Sequence, residues 1–101
     1  MDKSETFKTV HEVARLGSFS GAADKLNLST SSVSRQVSEF EQWLGVPIFQ
    51  RTTRQVSLTN AGEFFIDRLE DIVLDIQSLR EDAATLVETV RGRLRITSAL
   101  F

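Results

Sequence analysis

The sequence predicts a mainly α-helical chain: three short helices and a small β-hairpin, followed by one long helix. Three observations carry this. Through residues 4–44 apolar side chains recur every three or four positions, with breaks at Gly17 and around Asn27. The pattern stops at Gly45 and Pro47 and gives way to alternation over 48–58. From 61 to 90 no proline intervenes, and apolar residues keep a seven-residue repeat.

The first helix is predicted over about 4–16, with Phe7, Val10, Val13 and Ala14 on one face and Gly17 as its stop. A second, capped by Ser18 or Ser20 and running to Leu26, buries Phe19, Ala22, Ala23 and Leu26. After Asn27-Leu28, Ser29 is placed to cap a third helix whose stripe is Val33, Val37, Phe40 and Leu44. So short a link between two helices, the second opening on a polar turn, matches a helix-turn-helix. Val56 and Leu58 alternate with Gln55 and Ser57, and Ile48-Phe49 supplies a partner strand. The connection Arg51-Thr52-Thr53-Arg54 lacks the Gly or Asn that tight hairpins prefer. A short, irregular wing is therefore expected, completing a winged helix-turn-helix over 1–58.

Thr59 or Asn60 then caps the long helix, expected over 59–92 with Gly92 as its end; the thirty residues from Ala61 to Val90 alone span ~45 Å at 1.5 Å rise. Phe65, Leu69, Ile72, Ile76, Leu79, Ala83, Leu86 and Val90 alternate spacings of four and three, the signature of a coiled-coil dimer seam. Ile66 and Val73 lie beside this seam and are expected to pack on the first helix. Residues 93–98 alternate like a strand, so 93–101 is read as the truncated start of a further domain.

The 101 residues suit one small domain plus an appendage. The absence of cysteine excludes disulfides and thiolate metal sites and fits a reducing cytosol. No apolar run approaches the ~20 residues that cross a bilayer, and Met1-Asp2-Lys3-Ser4-Glu5 is not a signal peptide. A cytoplasmic, nucleoid-associated protein with no membrane partner is expected. Net charge is −2, unevenly placed: 1–58 holds seven Lys/Arg against six Asp/Glu, and 59–101 holds five against eight. A nucleic-acid role must therefore rest on where a few arginines sit, not on bulk charge.

Those arginines fall in two places. The polar opening of the third helix, Ser29, Thr30, Ser31, Ser32, Ser34, Arg35 and Gln36, is expected to face outward, opposite Val33, Val37 and Phe40. A helix N-terminus favours phosphate, Arg35 can read guanine or grip a phosphate, and Gln36 can read adenine or hold the backbone. A solvated helix face has the same composition. At the wing tip, Arg51, Thr53 and Arg54 can reach the backbone or minor groove beside that helix. Trp43 is expected to pack against the wing. His11, the only histidine, has no clustered partner in sequence, so no catalytic residue, metal or cofactor is assigned.

The sequence resembles the LysR-type transcriptional regulators in Gly17-Ser18-Phe19-Ser20 with Ala22-Ala23, Leu26-Asn27-Leu28-Ser29, and Val33-Ser34-Arg35-Gln36-Val37. The likeness continues through Phe40-Glu41, Leu44-Gly45, Ile48-Phe49-Gln50-Arg51, Arg54, Leu58-Thr59-Asn60-Ala61-Gly62 and Gly92-Arg93-Leu94-Arg95-Ile96. It implies a winged helix-turn-helix, a homodimer on double-stranded DNA, antiparallel long helices, and often a tetramer at full length. Thr30 and Ser31 depart from the Gln and Pro of many relatives, so no base preference carries over. The chain looks like a fragment lacking its family's effector-binding domain, where any small-molecule effector would bind. Two rival classes remain: an adaptor that binds proteins through the same surfaces, and an enzyme. The near-neutral head favours the adaptor; Arg35, Arg51 and Arg54 favour DNA. A sequence-specific dimer should select a rough palindrome with half-sites about one DNA turn, or a multiple of it, apart.

Overall fold

The computed structural model describes residues 3–52 and 55–99. Its element order is α1 (Lys3–Leu16), α2 (Phe19–Leu26), α3 (Thr30–Leu44), β1 (Phe49–Arg51), β2 (Val56–Leu58) and α4 (Asn60–Ala99). This is a winged helix-turn-helix with a long C-terminal helix, as the sequence predicted. The whole measures 68 × 26 × 21 Å, a small head with α4 projecting from it.

Each helix boundary has a local cause. The Ser18 hydroxyl accepts from Gly21 N at 2.9 Å and opens α2. Asn27 closes α2 in the left-handed region, at φ 58°, where a short polar side chain is tolerated. Ser29 then opens α3, accepting from Ser32 N at 3.1 Å. Gly45, at φ 90°, ends α3 and donates to Glu41 O.

Val10 and Val13 of α1, Ala22 and Ala23 of α2, and Val33, Val37 and Phe40 of α3 meet in one core with Ile48, Phe49 and Leu69. Phe7 sets its ring edge-on to Phe40 at 5.6 Å between centroids. The two strands pair antiparallel in the register Phe49↔Leu58, Gln50↔Ser57 and Arg51↔Val56. β1 therefore starts one residue later and runs two residues further than Ile48-Phe49, and Arg51 belongs to the strand rather than the turn. Thr52 closes the loop by exchanging backbone and hydroxyl hydrogen bonds with Gln55.

Two residues tie α4 to the head. Thr59 accepts from Gly62 N at 2.9 Å, capping the helix, while its own hydroxyl donates to Pro47 O at 2.6 Å. Gly62 lies so close to the Ile48 carbonyl that a Cβ would collide with it. Glycine is needed here for approach, not for backbone freedom. Leu69 and Val73 are buried against the head.

Three expectations change. Residues 93–98 are not a strand: α4 continues through Gly92 to Ala99. A lone strand leaves its backbone groups unpaired, whereas each added helical residue pairs locally, and that outweighs one glycine. Among the described residues the ring contacts of Trp43 are with Phe7 and Phe40, at 5.7 and 5.9 Å, rather than with the wing, and Lys3 Nζ lies 4.8 Å from its ring. Phe7 of α1 and Phe40 of α3 offer Trp43 two rings, while Phe49 of the wing is buried against Phe19. Leu69, placed in the dimer seam by its spacing, is a core residue of the head, and Phe65 packs partly against the same core.

Candidate nucleic-acid interface

The exposed face of α3 is set by which face is buried. With Val33, Val37 and Phe40 turned inward, a 100° step per residue carries Ser31, Arg35, Ser38 and Gln42 to the opposite side. All four are exposed. Arg35 has no ion-pair partner among the described residues. The helix N-terminus at the end of this face carries a cluster of hydroxyls. Ser29 Oγ donates to Ser32 Oγ at 2.8 Å and lies 3.2 Å from Ser31 Oγ. Thr30 is also exposed. A rod of small hydroxyls around one arginine lets the backbone come close to a polyanion.

Gln36 does not join this face. It is half-buried, and its side-chain oxygen is enclosed without a hydrogen-bond partner among the described residues. Its azimuth, next to Val33 and Phe40, turns it toward the protein. Ser38 and Gln42 were missed by reading only the first turns of α3. Their spacing of three and seven residues from Arg35 was the available signal.

The wing borders the same face. Strand alternation puts Phe49 and Arg51 on one side of β1. Phe49 is buried, with its ring against Phe19 at 6.2 Å between centroids. Two residues on, the Arg51 guanidinium lies over the same Phe19 ring, 4.4 Å from its centroid. Arg51 also donates to Ser34 Oγ at 3.4 Å, a long contact that nonetheless places it beside α3. Ser34 and Arg51 thus meet across seventeen residues of sequence. Thr53 and Arg54, the other expected wing residues, lie outside the described residues.

The approach of β1 to α3 is held from behind by Glu41. Its Oε2 accepts from Ile48 N at 2.6 Å and from Phe49 N at 3.3 Å. These charge-assisted bonds fasten the start of β1 to the side of α3. The sequence reading gave Glu41 no structural task.

Among the expected seam residues, Leu79, Leu86 and Val90 are 70%, 64% and 46% exposed. Ala83 is exposed, Ile72 is exposed at the head's edge, and Ile76 is half-buried. Ile72, Phe65 and Leu69 line an apolar groove of about 160 Å³ together with Phe7, Phe40 and Trp43. Among the described residues no His/Cys/Asp/Glu group could hold a metal ion, and no helix is long and apolar enough to cross a membrane. His11 Nε2 lies 4.0 Å from Glu70 Oε1, linking α1 to α4.

A winged helix-turn-helix with a polar, arginine-bearing α3 is an architecture that places a helix in the DNA major groove. Residues 4–63 match the family model of the bacterial regulatory helix-turn-helix protein, lysR family, and the chain belongs to that family. It is 40% identical over 91 residues to the HTH-type transcriptional regulator PunR of Escherichia coli, covering 90% of this chain and 29% of PunR. It is 37% identical over 97 residues to the HTH-type transcriptional regulator CrgA of Neisseria meningitidis, covering 96% of this chain and 32% of CrgA. The chain thus spans about a third of these relatives' length. Among solved structures, the CbnR DNA-binding domain in complex with DNA matches with a TM-score of 0.73 at 28% identity, covering 83% of this chain and 95% of that one. The oxidized form of Corynebacterium glutamicum OxyR matches with a TM-score of 0.76 at 30% identity, covering 79% of this chain and 26% of that one.

Proposed function

We propose that this chain is the operator-binding part of a LysR-family transcriptional regulator and that it binds double-stranded DNA as a homodimer. The observation that carries the reading is the exposed face of α3, where Ser31, Arg35 and Ser38 lie in a row beside Arg51 of the wing. A helix of this width fits the major groove. Its N-terminal hydroxyls and amides can approach phosphate, and Arg35 is long enough to reach a base edge. Arg51, at the border of the face, is placed for the sugar-phosphate backbone. The similar CbnR domain, solved as a DNA complex, supports the same use of this fold. No enzymatic step enters the proposal.

Dimerisation is inferred from α4. Beyond the head Leu79, Leu86 and Val90 of its apolar stripe are exposed among the described residues. Apolar surface left in water costs on the order of 25 cal/mol per Å². A second copy is the economical cover, because two-fold closure presents the same stripe twice. Two heads on one α4 pair would engage two half-sites of a near-palindromic operator in the cytoplasm.

The test is selection of bound duplexes from a random pool, followed by titration of the selected duplex at several salt concentrations. A recurring two-fold symmetric site, with affinity falling steeply as salt rises, is the expected result. No enrichment over successive rounds, with weak binding insensitive to salt, would favour an adaptor that binds proteins.

A further inference from the structure

We propose that Phe19 is a positioning residue for DNA binding: its ring holds the Arg51 guanidinium at the border between the wing and α3. The inference rests on the DNA-binding reading above and assigns a task within it to a residue that need not touch DNA.

The geometry comes from three elements. Phe19 is the first residue of α2, held there by the Ser18 cap. Its ring is half-buried, neither a core residue nor a free surface one. Phe49 and Arg51, two apart on β1, both reach it: Phe49 at 6.2 Å in an edge arrangement, Arg51 by its guanidinium at 4.4 Å. Phe49 fixes the ring, and the ring offers its face to the cation. The far end of the guanidinium points at Ser34 Oγ on α3.

An exposed arginine normally samples many rotamers, and binding must freeze them. Stacking on an aromatic face removes part of that cost in advance. It also leaves the in-plane N–H donors not directed at Ser34 open to a phosphate oxygen. An apolar side chain of similar size at position 19 would still fill the space against Phe49, but it would supply no quadrupole for the cation.

The expected behaviour separates positioning from mere packing. With the full chain and a fluorescent duplex of mixed sequence, Phe19→Leu should weaken binding about 2- to 5-fold, the range of an exposed cation–π contact. Phe19→Tyr, which keeps the ring, should restore the parent affinity. In an Arg51→Ala background Phe19→Leu should have no further effect, because the residue it positions is gone. Proton NMR gives a readout independent of DNA: the ring current should shift the Arg51 δ-methylene upfield in the parent and in Phe19→Tyr, and Phe19→Leu should abolish the shift. Equal losses from Phe19→Leu with and without Arg51 would reduce Phe19 to a packing residue. An unshifted δ-methylene in the parent would overturn the stack itself. If the parent binds no duplex at all, the DNA-binding reading fails and this inference with it; a parent that binds while Phe19→Leu binds equally well overturns the inference alone.

Discussion

Helix α3 and the stretch of α4 from Leu79 to Val90 carry apolar residues at the same alternation of three and four, yet among the described residues only the stripe of α3 is covered. Val33, Val37 and Phe40 meet α1, α2 and Ile48 and leave almost no surface to solvent. On α4 Leu69 and Val73 are likewise buried, whereas Leu79, Leu86, Val87 and Val90 are exposed. The pattern is alike; what differs is reach. The molecule is only 26 × 21 Å across its long axis, and a helix of forty residues is ~60 Å long, so α4 outruns the head it starts from. A heptad therefore announces a buried stripe without naming what buries it.

That contrast can be broken from either side. Phe40→Ala empties the centre of the head and should cost it ~3–5 kcal/mol, read as a fall in the head's melting temperature. A melting point within a degree or two of the parent would mean that α3 is not buried by this face. Glu41→Ala should be next, at ~1.5–3 kcal/mol, because Ile48 N and Phe49 N lose a charged acceptor at the start of the wing. Its mark is local: amide exchange at Ile48 and Phe49 should quicken more than at Val10 or Val13. Uniform quickening would assign Glu41 a global role instead. Arg35→Ala should leave stability alone and weaken operator binding by ~1–3 kcal/mol if Arg35 reads a base edge. Equal losses on operator and mixed-sequence duplex would make it a phosphate contact. Leu86→Ala, on the bare half of α4, should move the melting temperature of the head by no more than ~0.5 kcal/mol's worth. A larger fall would show that the distal helix folds back on its own head.

Much of this was legible in sequence because it is local. Ser18, Ser29 and Thr59 cap the helices they precede, and Gly45 closes α3 where the periodicity ends. The stripes of α1 and α3 fix the core, and alternation marks β2. Two of the misreadings come from contacts between residues distant in sequence. Arg51 over Phe19 spans thirty-two positions, and no periodicity links α2 to β1. Trp43 could face α1 or the wing on equal local grounds, and the aromatic surface of Phe7 decided it. Gln36 and Ser38 differ in kind. Their azimuths follow from the buried stripe, so a helical wheel over all of α3, not its first turns alone, would have turned Gln36 inward and Ser38 outward. At the other end, alternation over 93–98 suggested a strand, but a strand needs a neighbour and a helix does not.

The two halves of the comparison meet in one experiment. Leu79 is exposed, whereas Ile76 is half-buried, so Leu79→Asp isolates the distal stripe. Sedimentation of the parent chain and of Leu79→Asp, each with and without a selected operator duplex, measures how many chains travel together. The parent should sediment as a dimer alone and as two chains per duplex. Leu79→Asp should be a monomer with the parent's head stability and much weaker operator binding. A parent that is monomeric at every concentration and occupies the operator one chain at a time, or a Leu79→Asp chain that still dimerises and binds as the parent does, would contradict the assignment of α4 as the dimer interface.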